Sequence, residues 1–417
     1  MFDLDRFNEI WVTITRNKVR SFLTGFGVFW GIFMLMIMMG AGTGLQHGML
    51  DRLEGFATNS CFFWSGVTNE PYKGFQKGRQ WNIRNRDLEI LQQSVPELDC
   101  LSPMLFGGRD ANNIVYNENY GTFQIKGVYG NYNEVEKQSI ENGRFINEMD
   151  NMEERKICII GTKVYEELFP TKENPIGRYV RIWGIYFQVV GVVSGVSDVS
   201  ISGRSAESVF LPFKTLQKVI NQGDIVHFLA ATAKPNIPVS KMEEKIKEIL
   251  RQNNFISPTD EQAVGSINLE SQFNIFKYLF LGIAIVIWIV GSGTLIAGII
   301  GVSNIMVVTV KERTKEIGIR RALGAKPRTI IGQIMWESLT LTAIAGILGL
   351  CFGVLCLYIA DTVWLQNAED VFLSNPMVSF STAITSTVIL LFFGLIAGLI
   401  PAGRAMQIKA IDAIQEE

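Results

Sequence analysis

Four long stretches of this chain carry almost no charge, and they constrain its fold more than any other feature. No acidic or basic residue occurs at 21–50, 278–310 or 371–403, and at 329–360 the only one is Glu337. Each stretch exceeds the roughly 20 apolar residues that cross about 30 Å of hydrocarbon. We therefore predict an integral membrane α-helical protein with four transmembrane helices. The predicted spans are 21–45, 278–308, 331–359 and 379–401.

The Lys and Arg residues that flank these stretches predict the orientation of the chain. They cluster before the first stretch and at 311–328, whereas 362–378 contains none. Because cytoplasmic flanks are enriched in Lys and Arg, we predict a multi-pass protein of the bacterial inner membrane with both termini in the cytoplasm. The predicted cytoplasmic segments are 1–20, 309–330 and 402–417, and the predicted periplasmic segments are 46–277 and 360–378.

The N-terminal segment 1–20 carries an apolar stripe. Phe7, Ile10, Trp11 and Ile14 recur at helical spacing among charged residues. This pattern predicts an amphipathic helix that lies in the inner headgroup layer and contacts membrane lipid, with Trp11 as an anchor. The alternative is that the stripe simply continues the first transmembrane helix.

The segment 46–277 has the pattern of a large extracytoplasmic α+β domain. Strand-like runs alternate with helical ones, and the helical run 239–253 has one apolar face opposite Lys and Glu. The strand-then-helix order of 60–95 recurs at 225–253. We therefore predict two βα units that flank a β-rich inserted subdomain at about 105–222.

The sequence lacks the common catalytic and metal-binding motifs. It has no GxxxxGK[ST] phosphate loop, no GxSxG nucleophile elbow and no CxxC pair. Its two His make a His-based zinc site untenable, and 38 Lys and Arg against 40 Asp and Glu give no reason to expect a nucleic-acid partner. We predict a non-catalytic chain without a cofactor or metal of its own.

A few single residues need an interpretation of their own. We expect His227 to be structural, and Cys61, Cys100 and Cys158 to be mostly buried free thiols. Glu337 lies nine residues after Arg328, or about 13 Å along a helix, which places it near the predicted cytoplasmic interface. The alternative for Glu337 is a proton or substrate site, because acids inside a membrane are candidates for function.

Small residues recur at four-residue intervals in the apolar stretches, a spacing that lets helix backbones approach closely. The pattern favours tight packing or dimerisation without identifying which helices meet. The spacings occur at Gly27/Gly31, Gly40/Gly44/Gly48, Gly293/Ala297/Gly301, Gly349/Gly353 and Gly394/Gly398.

The cytoplasmic segment 310–329 is short but has a helical pattern. Ile317, Ile319 and Leu323 are apolar residues among many cations. A short helix along the inner membrane face would turn Lys and Arg towards the headgroups and leave a face for a partner protein. The alternative is an ordinary positively charged loop that sets the topology.

Three separated motif groups resemble the FtsX-like and MacB-type ABC transporter permeases. The run NIMVVTVKERTKEIGIRRALGA at 304–325 resembles the FtsX-like signature, and IPAGRA at 400–405 with IDAI at 411–414 resembles the ending of that module. The external motifs resemble the periplasmic core domain of MacB-type permeases. They are GRF at 143–145, IIG at 159–161, LFP at 168–170, PIG at 175–177 and QVVGV at 188–192.

This resemblance implies the permease subunit of a MacB-like ABC transporter. Such a permease dimerises with a second copy or a paralogue and docks a cytoplasmic ABC ATPase, which binds the ATP and Mg. Hydrolysis then moves the transmembrane helices and the periplasmic domain, so that export or efflux proceeds by mechanotransmission. The chain starts about 20 residues before its first apolar stretch, so we expect the ATPase to be a separate polypeptide.

The motif at 304–325 also implies where the ATPase docks. Seven of its residues are predicted to lie in or next to the contact: Glu312, Glu316, Ile317, Gly318, Arg320, Arg321 and Gly324. A periplasmic adaptor and an outer-membrane channel are further partners that the resemblance suggests. The alternative functions are a lipoprotein-releasing permease and a non-transporting FtsX-type regulator of cell-envelope enzymes.

Overall fold

The computed structural model describes residues 18–51, 54–108, 113–171, 173–196, 203–365 and 373–407. The chain divides into two compact units. The α+β domain is Asp51–Lys277, and the membrane unit combines Met1–Leu50 with Tyr278–Glu417. The amphipathic stripe predicted at residues 7–14 lies outside the described residues.

Helices and strands are numbered separately along the chain. The helices are α1 (Lys18–Asp51), α2 (Asn85–Ser94), α3 (Tyr132–Val135), α4 (Glu148–Met152), α5 (Thr162–Leu168), α6 (Phe213–Val219), α7 (Val239–Asn253), α8 (Leu269–Glu312), α9 (Thr314–Ala322), α10 (Pro327–Ile359) and α11 (Phe380–Gln407). The strands are β1 (Ser60–Ser65), β2 (Ile83–Arg84), β3 (Leu98–Phe106), β4 (Ile114–Tyr116), β5 (Asn119–Gly121), β6 (Gln124–Val128), β7 (Gln138–Gly143), β8 (Ile157–Gly161), β9 (Tyr179–Ile182), β10 (Ile185–Gly195), β11 (Ser208–Pro212), β12 (Ile225–Val226), β13 (Phe228–Ala233) and β14 (Val264–Asn268).

Helices α1, α8, α10 and α11 are long and apolar enough to cross a membrane. This confirms the prediction of four membrane-spanning helices beside an α+β domain. Within the membrane unit, α1 packs through its buried face, which includes Val28, Ile32 and Met36. A Cβ atom on Gly349 of α10 would lie 2.6 Å from the carbonyl oxygen of Phe29 on α1. The small residues therefore bring α1 and α10 into backbone contact.

The α+β domain is built on a single large mixed sheet of twelve strands. Its strand order is β14-β1-β13-β3-β6-β11-β8-β10-β9-β4-β5, with β7 paired to β10, and β2 pairs separately with β12. The pairs β6–β11 and β8–β10 are parallel. Strands from 114–212 join the rest of the sheet through the pairing of β3 with β6. The division of this domain into two βα units and an inserted subdomain stays a prediction.

Alternate residues of the central strands feed two separate apolar clusters. On β1, Phe63 belongs to the larger cluster with Leu91 of α2 and Ile246 of α7. The neighbouring Phe62 belongs to a smaller cluster that includes Tyr132 of α3. Since successive side chains of a strand point to opposite faces, both faces of this sheet are covered.

The surroundings of the cysteines and of His227 in the α+β domain indicate structural roles for these residues. Cys61, Cys100 and Cys158 are buried and unpaired, as expected. Burial raises the pKa of Cys100 to about 12, and it also raises the pKa of Cys61 and Cys158, so these thiols stay protonated at neutral pH. His227 accepts a hydrogen bond through Nδ1 from the backbone N–H of Phe106 at 3.1 Å, and burial lowers its pKa.

Candidate coupling site in the membrane unit

The short helix α9 is separated from both of its neighbours by breaks that the sequence explains. Arg313 stands between α8 and α9 with φ −99° and ψ 14°, which interrupts the helix for one residue. After α9, Gly324 has φ +92°, a conformation that glycine adopts at little cost. Pro327 then begins α10, where its missing N–H leaves no helical hydrogen bond unmade. The segment therefore folds as a helix rather than as an irregular loop.

The C-terminal half of α9 is tied to α10 through Arg320. Its Nη1 donates a hydrogen bond to Oε1 of Gln333 at 2.9 Å. Its Nη2 lies 2.9 Å from Oε1 of Glu316, one turn earlier on α9. The guanidinium of Arg320 carries several N–H donors in a fixed geometry. It can therefore make an ion pair within α9 and a hydrogen bond to α10 at the same time.

The residue before α9 makes a second contact with α10. Nη1 of Arg313 lies 3.4 Å from Oε2 of Glu337, whose side chain is only 9% exposed. The structure thus gives the one acidic residue of this apolar stretch a cationic partner. A buried carboxylate needs such a partner, because burying an unpaired charge costs on the order of several kcal/mol.

A third arginine connects α9 with α11. Nη1 of Arg321 donates a hydrogen bond to the backbone carbonyl oxygen of Met406 at 3.2 Å. Met406 lies in the last turn of α11, where carbonyl groups have no helical N–H partner. The contact therefore satisfies a helix end and holds α9 to a second membrane helix.

The inner face of α9 encloses a small space between α8, α9 and α10. Ile317, 8% exposed, packs in the same apolar cluster as Ile330 and Ile334, and Gly318 is buried beside it. The cavity has a volume of about 30 Å³. Polar groups of Arg313, Gln333 and Glu337 are among its lining, so it has the size and the partners for one water molecule.

The outer face of α9 carries exposed apolar side chains. Ile319 is 47% exposed and Leu323 is 83% exposed. These two residues lie four apart, so on a helix they share one side. The surface formed by Ile319 of α9 and Leu323, directly after α9, is defined here as the Ile319–Leu323 face.

The seven residues predicted for the ATPase contact separate into three groups by burial. Glu312, Glu316 and Gly324 are exposed, whereas Ile317 and Gly318 are buried within the chain. Arg320 and Arg321 are half-buried and contact α10 and α11. The placement of all seven residues in or next to the ATPase contact stays a prediction.

The sequence analysis missed Gln333 and Met406 as members of this site, and it did not pair Glu337 with Arg313. A signal was present: Gln333 and Glu337 are four apart on α10, and Arg313 and Arg320 are seven apart, so each pair lies on one helical face. Among the described residues, no group of three or more His, Cys, Asp or Glu side chains could hold a metal ion.

The fold and this site define a class of protein, with four helices long enough to span a membrane, an α+β domain and a short helix between the second and third of those helices. The MacB-like periplasmic core domain matches residues 21–249, and the FtsX-like permease C-terminal domain matches residues 288–410. The chain belongs to the family of MacB-like permeases with an FtsX-like C-terminal domain.

Curated relatives match nearly the whole chain. The Macrolide export ATP-binding/permease protein MacB of Bdellovibrio bacteriovorus is 25% identical over 422 residues, covering 99% of this chain and 62% of the relative. The Pyoverdine export ATP-binding/permease protein PvdT of Pseudomonas fluorescens is 26% identical over 415 residues, covering 99% and 60%. The chain therefore spans 60–62% of the length of these two relatives and aligns with their permease part.

Solved structures resemble the α+β domain. The periplasmic region of MacB from Actinobacillus actinomycetemcomitans has a TM-score of 0.44 and 16% identity, and the match covers 55% of this chain and 97% of that structure. The extracellular domain of the noncanonic ABC-type transporter YknZ from Gram-positive bacteria has a TM-score of 0.41 and 18% identity, with coverage of 50% and 100%.

Proposed function

We propose that this chain is the permease part of a MacB-like ABC exporter in the bacterial inner membrane. Membership of the permease family supports this proposal, as do relatives whose names describe macrolide and pyoverdine export. The observation that carries it is α9, a short helix that bears the family motif and is fixed to α10 and α11 by three arginines. A helix held in this way can pass a force from a bound protein to the membrane helices.

The energy for this motion comes from an ATPase partner. The chain contains no phosphate loop, so ATP and Mg would bind to the partner. The Ile319–Leu323 face offers the apolar centre of the docking surface, and the exposed Glu312 and Glu316 offer charge at its edge. An apolar centre with a polar rim is the usual anatomy of a protein interface.

The proposed orientation places α9 and both termini in the cytoplasm and the α+β domain in the periplasm, as the excess of Lys and Arg around α9 favours. Docking and release of the ATPase would move the four membrane helices and, with them, the periplasmic domain. Export by such mechanotransmission needs no polar path through the helices. A second permease copy or a paralogue would complete a dimer, and a periplasmic adaptor with an outer-membrane channel would receive the substrate.

Co-purification tests this proposal. The tagged chain is expressed with an ABC ATPase from the same genome, extracted in mild detergent and isolated through its tag. We expect the ATPase to be retained with wild-type chain and to be lost with the Ile319→Asp variant, while Ile90→Asp, the same substitution at an exposed position of the α+β domain, serves as the control. If the wild-type chain retains no ABC ATPase, the proposed function is wrong.

A further inference from the structure

Helix α9 is attached to α10 at both of its ends, and the attachments fix its direction. Arg313, before the first residue of α9, meets Glu337, and Arg320, near its last residue, meets Gln333. The earlier arginine, Arg313, thus contacts the later residue of α10, Glu337. The later arginine, Arg320, contacts the earlier residue of α10, Gln333. The two helices run antiparallel along this seam, which is defined here as the α9–α10 seam.

The two attachments of the α9–α10 seam differ in burial and charge. The contact of Arg320 with Gln333 is half-buried and pairs a cation with a neutral amide. The contact of Arg313 with Glu337 pairs opposite charges, and Glu337 is the one buried charged residue among the described residues of the membrane unit. Breaking this second contact removes a cation from beside a buried carboxylate, so we expect it to cost more than breaking the contact of Arg320 with Gln333.

Arg313 lies at a position where its contact with Glu337 can restrict the motion of α9. It stands at the one-residue break between α8 and α9, where a helix can change direction most easily. Without the Arg313–Glu337 contact, α9 would keep its later attachments through Arg320 and Arg321, but its first turn could move about this break. With it, both ends of α9 are held to α10 on either side of the buried Ile317.

We propose that Glu337 is a positioning residue that acts through Arg313: the pair locks α9 onto α10, so that a displacement of α9 becomes a displacement of the third membrane helix. The source of that displacement, an ATPase bound to α9, rests on the function proposed above. The lock itself is a property of this chain alone. The two parts can therefore be tested separately.

The first test needs no ATPase. Amide hydrogen exchange of residues 314–322 is measured in the full chain in lipid nanodiscs for wild type, Glu337→Gln, Arg313→Gln and the double variant. We expect exchange to become about five-fold faster or more in each single variant, and no faster still in the double variant, because each change removes the same pairing of opposite charges. Unchanged exchange in Glu337→Gln, or effects that multiply in the double variant, would overturn the lock.

Two further variants keep this test decisive. Arg313→Lys keeps the charge at the break and should show exchange close to wild type, which a general loss of packing would not produce. Ser338→Ala removes a buried hydroxyl one residue further along α10 and should leave exchange of α9 unchanged. Faster exchange of α9 in Ser338→Ala would mean that any change in α10 loosens this helix, which contradicts a specific role for Glu337.

The second test measures coupling in the complex with the ATPase. The Glu337→Gln variant should still bind the ATPase, since the Ile319–Leu323 face is intact, but ATP hydrolysis stimulated by the chain should fall about five-fold or more. Full stimulation in this variant would refute the coupling role of Glu337. If the wild-type chain binds no ATPase, the proposed function fails, and the exchange experiment still decides whether the lock exists.

Discussion

Gly27 of α1 and Gly298 of α8 face one another where the backbones of these two helices approach closely. A Cβ atom on Gly298 would lie 2.8 Å from the carbonyl carbon and oxygen of Gly27. A Cβ atom on Gly27 would lie 3.3 Å from Cα of Gly298. Because the atoms in the way belong to the backbone, neither helix can yield by moving a side chain.

This contact predicts that alanine at Gly298 and alanine at Gly27 will destabilise the protein to different extents. Gly298→Ala should destabilise the membrane unit by about 1–3 kcal/mol, the usual cost of overpacking, and Gly27→Ala should cost less. Thermal unfolding in detergent measures the difference.

The matched control for this prediction lies one turn away on the same helix. A Cβ atom on Gly301 has no neighbour within 4 Å, so Gly301→Ala should be neutral or slightly stabilising, since alanine favours a helix. Equal unfolding temperatures for Gly298→Ala and Gly301→Ala would show that the two helices are not in backbone contact at Gly298.

The glycine contact also shows how far a small-residue pattern can be interpreted. The four-residue spacings correctly indicated close packing, and Gly27 and Gly349 do lie at such contacts. The partner of Gly27 is Gly298, which belongs to none of the predicted spacings, whereas Gly293 and Gly301 have no neighbour within 4 Å of a Cβ atom. The rotation of each helix about its axis determines which small residues face a neighbouring helix. A single sequence does not specify that rotation.

The proposed orientation of the chain predicts a labelling pattern. Cysteines introduced at Lys73 or Glu141 should react with a membrane-impermeant thiol reagent in cells with a permeabilised outer layer, and one at Lys315 should not. Alanine at Cys351 and Cys356 removes the two native thiols that are not buried. Labelling at Lys315 with protection at Lys73 and Glu141 would reverse the orientation and remove the basis for a cytoplasmic ATPase.

Glu97 predicts a pH dependence of stability in the α+β domain. Its carboxylate lies 3.0 Å from Nζ of Lys245 and 3.3 Å from Nζ of Lys241, both on α7. The hydrogen bond from Lys245 is the main cause that lowers the pKa of Glu97 from 4.5 to about 2. The folded state therefore binds this proton less readily than the unfolded chain, so the stabilisation is present above the unfolded pKa and disappears as the pH falls towards 2.

The corresponding experiment compares Glu97→Gln with wild type by thermal unfolding at several pH values. The variant should unfold at a lower temperature at pH 7, and the difference should shrink as the pH falls from about 5 to about 2. Glu248→Gln, at an exposed position of α7, is the control and should show little difference at any pH. A difference between Glu97→Gln and wild type that grows on acidification would contradict the assigned contact.

Neighbouring positions of α9 should respond differently to the same aspartate. Ile319→Asp changes an exposed residue and should leave the fold within about 0.5 kcal/mol of wild type while weakening association with the ATPase. Ile317→Asp places a charge in a buried apolar cluster and should destabilise the membrane unit itself. Unfolding in detergent and ATPase co-purification separate the two effects, and loss of folding in Ile319→Asp would contradict the assigned faces.

Reversing the charge of Glu316 distinguishes docking from local support. Its pair with Arg320 at i,i+4 contributes only about 0.2–0.5 kcal/mol, so Glu316→Lys should hardly change the stability of the chain. If Glu316 lies at the edge of the docking surface, the same variant should bind the ATPase more weakly. Unchanged binding would remove Glu316 from the docking surface and leave it a role within α9 only.

The sequence predicted the membrane helices and the short helix α9 better than the contacts that α9 makes with its neighbours. Uncharged stretches longer than a bilayer can hardly fold otherwise, and the motif at 304–325 marked α9. It did not indicate that Ile317 faces inward and Ile319 outward, because both are apolar and two residues apart. That difference depends on where α10 lies, and on the contacts of Arg313 and Arg320 that place it there.

The most direct test of this account is ATP hydrolysis by the purified chain with its ATPase, compared with each protein alone and with the Ile319→Asp complex. We predict that the isolated chain neither binds nor hydrolyses ATP, that the chain stimulates hydrolysis by the ATPase, and that Ile319→Asp abolishes the stimulation. Saturable ATP binding to the isolated chain, or full stimulation by the Ile319→Asp variant, would contradict the conclusion that this permease receives its energy through α9.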